Sequence, residues 1–296
     1  MDKTIALEEL QLHLDFFKKM YQVVRIVDPT TKKVLNYNDK SIEYTDGICY
    51  SYWENDSMCE NCVSMRAFFS KDTVYKLEYL SDKVYMITAI PIRSTDGLVI
   101  LELLKDVTHT MLIDTEDNEK AHNIKSYISN MNDMVVKDPL TGLYNRRFID
   151  ERLPVDIIQS LLNEKPLSII MTDIDQFKAI NDELGHIEGD SKIKQYGEIL
   201  KSSIRLENDW VARYGGDEFL ICLNNTDNDT AYSIAERIRK KIERDMSLNK
   251  HGNINITGSF GICTMYKEEM TAEDMMKTAD NNLFIAKEKG KNIVIR

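Results

Sequence analysis

No apolar run in the 296 residues approaches the roughly 20 residues that a membrane-spanning helix needs. The first ten, MDKTIALEEL, lack the apolar stretch of a secretion signal, so a cytoplasmic protein without a membrane span is expected. Positive charge is in deficit: 38 Lys and Arg against 49 Asp and Glu leave a net charge of −11. That argues against a general nucleic-acid binder, whose phosphate partner rewards cations. It does not exclude a nucleotide site built from a few local cations and a metal. Glycine (12) and proline (5) are sparse, as in ordered globular domains. Five cysteines, an odd number without a secretion signal, do not suggest a disulfide framework.

What is present is 43% hydrophobic and 29% charged, and long enough for two domains, each with its own core. Residues 4–20 read as an amphipathic helix with Leu7, Leu10, Leu14, Phe17 and Met20 on one face. A strand over 23–27 ends at the turn signal Asp28-Pro29, and 33–37 is its expected partner. After an irregular middle come strand-like runs at 73–79, 83–92 and 97–104. Two strands, short irregular helices and a three-stranded meander, closed by Asp106-Val107-Thr108, resemble a PAS domain over 1–108.

Residues 109–136 contain neither glycine nor proline. Ile124, Tyr127 or Ile128, Met131, and Met134 or Val135 recur at heptad-like spacing. They read either as a helix packed on its own domain or as a parallel two-chain coiled coil linking sensor to output. Over 137–296 helices near 143–163, 177–186, 190–205, 228–246 and 271–289 alternate with strands at 167–174, 210–214, 218–223, 254–264 and 292–296. The two strands about Gly215-Gly216 make the sheet at least partly antiparallel. An α/β sandwich with helices covering the sheet is expected, not a doubly wound parallel fold.

Chemistry concentrates in this last part. A buried apolar strand ends in Asp173-Ile174-Asp175, where carboxylate oxygens suit Mg²⁺. A second carboxylate comes from Tyr214-Gly215-Gly216-Asp217-Glu218-Phe219, whose glycines permit positive φ and leave no Cβ in a nucleotide's way. An isolated Asp-x-Asp would read as a solvated acidic patch. The set does not: a specified pentapeptide arises by chance in about one such chain in 10⁴, and its companions lie at suitable positions.

These residues resemble the GGDEF family of diguanylate cyclases over 137–296. Asp138-Pro139-Leu140-Thr141-Gly142-Leu143-Tyr144-Asn145-Arg146-Arg147 matches the family's opening motif. Asp173 to Asp190, with Phe177, Lys178, Asn181, Asp182, Gly185, His186 and Gly189 in place, matches its nucleotide-binding block. The hairpin is intact, and Ala286 to Asn292 corresponds to the phosphate-contacting segment.

The resemblance implies a nucleotidyl-cyclase or polymerase-palm-like α+β fold with a mostly antiparallel sheet flanked by helices. It implies Mg²⁺ or Mn²⁺ on Asp173, Asp217, Glu218 and the Ile174 carbonyl. Glu218 would serve as a ligand or help deprotonate the attacking 3′-hydroxyl. Asn181 and Asp190 would read guanine, with Phe177, Gly215 and Gly216 shaping the GTP site. Lys178, Lys287 and Lys291 would neutralise the triphosphate, Lys178 standing among the catalytic residues with Asp217 and Glu218. His186 reads as structural.

The implied reaction joins two GTP into cyclic di-GMP and two pyrophosphates, which requires a homodimer and neither nucleic acid nor membrane. A GGDEF domain that only binds GTP would have lost a metal or signature residue, and a cyclase of another nucleotide would have replaced Asp190. The family's product-inhibition arginine is replaced by Leu206, with Asp209 kept and Arg205 one position off, so feedback is expected to be weak or absent. Phe284 and Lys291 stand where tyrosine and arginine are usual.

In the N-terminal part, Cys49, Cys59 and Cys62 form C-x9-C-x2-C, a spacing suited to metal or redox chemistry or to small buried side chains. Cys222 and Cys263 read as core.

Overall fold

The computed structural model describes residues 14, 16–38, 41–53, 58–94, 97–110, 118–246 and 255–296, with the backbone alone for 36–38, 41–46 and 118–122. The chain divides into two compact units, Met1–Val135 and Val136–Arg296. Most of the helix expected over 4–20 lies outside the described residues. Among the described residues no helix is long and apolar enough to cross a membrane.

The first unit is one antiparallel sheet. Its strands are β1 (Val23–Asp28), β2 (Lys33–Asn38), β3 (Ser41–Ile48), β4 (Val74–Leu80), β5 (Lys83–Ser94) and β6 (Gly97–Asp106), in the order β3-β2-β1-β6-β5-β4. A 3₁₀ turn, Cys49–Trp53, and helix α1 (Val63–Ser70) fill the gap between β3 and β4. Strand β3 was not anticipated. Its Asp46-Gly47 reads as a loop, and its ladder with β2 is broken by an irregularity between Lys33 and Leu35.

Alternation along β6 supplies both faces of this sheet. Leu101 and Leu103 pack with Ile26, Leu35 and Leu14. Ile100 and Leu104 pack with Val63 and Ala67 of α1. Glu102 falls on the α1 side, where Arg25 Nε lies 2.6 Å away and the Ser64 hydroxyl donates to it. Asp106 then accepts from Thr108 N and Oγ1, and Thr108 Oγ1 accepts from Val84 N, so Asp-x-Thr clasps the strand end.

Helix α2 (Asn118–Val136) carries the residues of its two alternative stripes on different faces. Ile124 and Ile128 pack against Val84 and Val107. Tyr127, Met131 and Met134, at i, i+4 and i+7, are exposed.

The second unit runs α3 (Arg146–Leu162), β7 (Leu167–Ile174), α4 (Phe177–Leu184), α5 (His186–Lys201), β8 (Trp210–Gly215), β9 (Glu218–Asn224), α6 (Asn228–Met246), β10 (Gly258–Met265), α7 (Ala272–Glu288) and β11 (Val294–Ile295). The sheet order is β11-β10-β7-β9-β8, and only β10–β11 is parallel. This is the mixed, mostly antiparallel sheet flanked by helices that the sequence implies. All eight residues of β7 are buried, as a central strand covered on both faces requires. The helix expected over 177–186 ends at Leu184, because Gly185 turns to φ 82° and starts a new helix.

Helix α7 lies so close to β10 that a Cβ on Gly261 would overlap the Leu283 amide and the Ala279 carbonyl. Backbone cannot give way as a side-chain tip can. Gly261→Ala is therefore expected to destabilise the full chain by about 2 kcal/mol or more, read as a lower urea midpoint by circular dichroism. An unchanged midpoint would show that α7 docks differently.

Candidate active site

Register sets the site. Antiparallel pairing places Asp173, near the end of β7, opposite Glu218 on β9 and opposite Ser259 on β10. Directly opposed residues present their Cβ atoms on one face about 5 Å apart. Gly216 closes the β8–β9 turn at φ 54°, and the Asp217 carbonyl accepts from Ile174 N at 3.4 Å. The turn is braced from below. Arg213 Nε donates to the Gly216 carbonyl (2.8 Å), and its Nη1 donates to both Asp138 oxygens (3.1 and 3.2 Å). Asp138 also accepts from the Thr141 amide and hydroxyl, which ties the opening motif to the hairpin. The Arg146 guanidinium lies 4.6 Å from the Tyr214 ring centre.

Burial pushes the Asp173 carboxyl up to about 7; Lys287 pulls it down and Asp217 and Glu218 push it further up. Burial likewise raises Asp217 and Glu218. Lys287 Nζ sits 2.8 Å from Asp173 Oδ2. Asp173, Asp217 and Glu218, partly desolvated about one strand end, are hard-oxygen donors of the type that suits a divalent cation such as Mg²⁺ or Mn²⁺. The fit is one of donor type and position. Among the described residues, no three His, Cys, Asp or Glu are gathered into a ready-made metal-binding group, and Lys287 supplies the cation on Asp173.

The expected guanine readers lie on the next two helices. Phe177 opens α4 and packs against the core beside buried Ile180, while Lys178 is exposed. A Cβ on Gly189 would overlap the Asn181 carboxamide and crowd Phe177. The bare Gly189 backbone thus lets Asn181 sit against the first turn of α5, beside Asp190 in the chain. Asp190 is exposed, as is His186. Gly290, Lys291 and Asn292 all take positive φ (112°, 65° and 51°), a tight turn that carries Lys291.

That turn depends on a residue the sequence reading passed over. Asp175 is buried and accepts from Thr257 Oγ1 (2.7 Å), Ser259 Oγ (2.6 Å) and Asn292 N (3.0 Å). It pins the C-terminal turn to the end of β7. Asp175 lies just past the end of β7, and its partners are distant in the chain, so the second acid of Asp-x-Asp alone does not reveal this role.

A cavity of about 640 Å³ opens beside Tyr214 and Glu218, between α3 and α7, with Met171 and Met276 among its walls. Asn181 and Asp190 do not line it. Asp209 is elsewhere and buried. It accepts from Arg205 Nε (3.0 Å), Arg205 Nη2 (3.2 Å) and Asn224 N (3.0 Å), and Leu206 is exposed.

In the first unit Cys49 opens the 3₁₀ turn and Cys62 directly precedes α1. All five cysteines are free thiols. The metal centre considered for Cys49, Cys59 and Cys62 is not found among the described residues. Burial pushes the Cys49 and Cys59 thiols up to about 12, and Cys62 raises both further, so these two are protonated at neutral pH and are poor metal ligands as they stand.

Comparison with known proteins agrees with this geometry. The sequence profile of the diguanylate cyclase GGDEF domain matches residues 135–293, more than half of the chain, and the chain belongs to that family. The response regulator PleD of Caulobacter vibrioides is 36% identical over 165 residues, 55% of this chain and 36% of its own. Diguanylate cyclase A of Treponema denticola is 40% identical over 131 residues, 44% of this chain and 35% of its own. The chain spans about a third of the length of these curated relatives.

Among solved structures, the coiled coil and GGDEF domain of DgcB from Caulobacter crescentus, in complex with c-di-GMP, superposes with a TM-score of 0.56. It is 24% identical and covers 64% of this chain and 99% of its own, which establishes the fold. The GGDEF domain of DgcB superposes at 0.51 with 27% identity, over 54% of this chain and 92% of its own. Residues 1–134, outside the matched profile, form an N-terminal accessory region.

Between 3.8, the ordinary carboxylate value, and about 7, the folded protein holds the Asp173 proton that the unfolded chain has released. This site therefore lowers stability as pH rises through that window. In chelator, urea midpoints at pH 5 and pH 8 should show a fall that Asp173→Asn flattens. Equal pH dependence in both proteins would mean that the crowding of Asp173 is not felt.

Proposed function

We propose that this chain is a diguanylate cyclase that condenses two GTP into cyclic di-GMP and two pyrophosphates as a homodimer, under control of its N-terminal unit. The observation that carries the reading is the pairing of Asp173 with Glu218 across β7 and β9, with Asp217 next to Glu218 in the β8–β9 turn. A Mg²⁺ or Mn²⁺ ion held by Asp173, Asp217, Glu218 and the Ile174 carbonyl would supply charge neutralisation at the reacting phosphate. Glu218, raised by burial, accepts the proton of the attacking 3′-hydroxyl or completes the cation's ligands. Each 3′-oxygen attacks the α-phosphorus of the other nucleotide, and pyrophosphate leaves in line.

The Asp190 carboxylate accepts from both N1–H and the 2-amino group of guanine, which adenine does not offer, and Asn181 supports it from α4. Lys178, Lys287 and Lys291 balance the triphosphate, with Lys287 exchanging Asp173 for phosphate when cation and nucleotide enter. Asp175 acts as a positioning residue for Lys291.

Each cyclase domain holds one GTP, so turnover needs a second copy of this chain. The exposed Tyr127, Met131 and Met134 stripe on α2 is the face offered to that copy, and its heptad spacing suits a parallel pair. The order β2-β1-β6-β5-β4 and the Asp106–Thr108 clasp support a PAS-like sensor over 1–108, with 109–136 as linker and 137–296 as cyclase. Feedback through Asp209 is expected to be weak, because its carboxylate is closed off by Arg205 and Asn224 and the neighbouring Leu206 bears no charge.

Incubation of the full chain with GTP and Mg²⁺, and separately with ATP, followed by product analysis, should yield cyclic di-GMP from GTP alone. The initial rate should be little changed by added product. Glu218→Gln should lower the rate by about 10² or more. Asp190→Asn should reduce the preference for GTP over ATP by about 10² or more. Absence of cyclic di-GMP in reduced, oxidised and metal-supplemented wild type would refute the activity.

A further inference from the structure

The Cys59-Glu60-Asn61-Cys62 loop is wired to the helix that leaves the first unit. Asn61, between the two cysteines, is 4% exposed, and several of its polar groups are engaged. Its carbonyl accepts from Lys76 Nζ at 3.0 Å and its Oδ1 from Arg66 Nη1 at 3.2 Å. Its Nδ2 donates to Asn132 Oδ1 at 3.0 Å, and Asn132 Nδ2 donates on to the Leu77 carbonyl of β4 at 3.2 Å.

Asn132 stands one turn after Ile128 on the α2 face that packs on the sheet, and α2 runs directly into the Asp138–Thr141 motif that braces the hairpin. A buried amide pair of this kind is sensitive to position. Shifting one partner leaves the other with unpaired donors and acceptors in a desolvated place.

We propose that Cys59 and Cys62 form a reversible disulfide on contact with a low-molecular-weight disulfide, and that the Asn61–Asn132 pair carries the change to α2. The inference rests on the reading of the first unit as a regulator. Cys62 is partly exposed and its side chain makes no capping bond to α1. Its thiolate attacks one sulfur of the reagent, forming a mixed disulfide and expelling one small thiolate. Cys59 then gives up its proton to solvent base and attacks the Cys62 sulfur. The protein S–S bond forms, and the second small thiolate leaves and is protonated. Two electrons pass from the dithiol to the reagent, which ends as two thiols.

The high barrier to ionising Cys59 makes the second step slow, as suits a sensor of sustained oxidation. A disulfide across two intervening residues fixes the separation of its Cα atoms. It therefore turns the backbone that carries the Asn61 side chain, whose Nδ2 donates to Asn132.

The test uses the full chain, reduced or incubated with oxidised glutathione, then thiol-blocked and mapped by non-reducing peptide mass spectrometry. Amide hydrogen exchange over residues 124–136 is followed in parallel. Neither readout requires cyclase activity, so failure here is distinguishable from failure of the functional reading.

The expected result is a Cys59–Cys62 crosslink and exchange in that helix faster by about tenfold, the scale of one lost buried hydrogen bond in a local opening equilibrium. Cys59→Ser should keep exchange slow in the presence of oxidant. Asn61→Ala should show fast exchange already when reduced, and Asn132→Leu should do the same from the helix side if Asn61→Ala fails to fold. No crosslink, a crosslink through Cys49 instead, or a Cys59–Cys62 crosslink that leaves exchange over 124–136 unchanged would each overturn the proposal.

Discussion

Asp173, Asp217 and Glu218 are placed about the end of β7 and the Gly215-Gly216 turn, and the burial of these carboxyl groups is the constraint around which the second unit is organised. Asp173 sits on the central strand with Glu218 across from it, in a place buried enough to favour the protonated acid. A fold does not concentrate desolvated like charge without something to offset it. Lys287 does so in the protein alone, and a divalent cation with a nucleotide's phosphates would do so at work. Much of the surrounding geometry can be understood as fixing these three side chains. Arg213 and Asp138 hold the turn, Asp175 holds the lysine-bearing C-terminal segment, and Gly261 lets α7 approach closely enough for Lys287 to reach Asp173.

The first unit shows the same economy in a different form. Helix α2 divides its residues between two faces: Ile124, Ile128 and Asn132 bind it to its own sheet, while Tyr127, Met131 and Met134 are exposed. The Arg25–Glu102–Ser64 group lies on the α1 side of β6, and Cys49, Cys59 and Cys62 all precede α1 in the chain.

Much of this was legible in the sequence where local chemistry leaves few options. A mostly apolar run ending in Asp173, two glycines before two acids, and lysines at the end of α7 and just beyond it mark the GGDEF half almost without structure. The helix over 228–246 and the strand over 167–174 fall within their expected bounds. What escaped depended on distant partners. Strand β3 carries Asp46-Gly47 and is held by its ladder to β2. Asp175 carries no role in the sequence until three hydrogen bonds from Thr257, Ser259 and Asn292 make it a staple. Asp209 looks available for a ligand until Arg205, four residues earlier, closes on it. The α2 periodicity was ambiguous for a physical reason: two apolar stripes one residue apart overlap in a heptad count, and only packing separates Ile128 from Tyr127.

The account stands most directly on whether the Asp173–Asp217–Glu218 group takes up a divalent cation together with guanine nucleotide. Titration of Mn²⁺ into the full chain, with a non-hydrolysable GTP analogue present and free Mn²⁺ followed by electron paramagnetic resonance, measures this without turnover. Wild type should bind the ion, and Asp173→Asn should weaken binding by about tenfold or more, the loss of one charged ligand. Equal Mn²⁺ affinity in the two proteins would contradict the account.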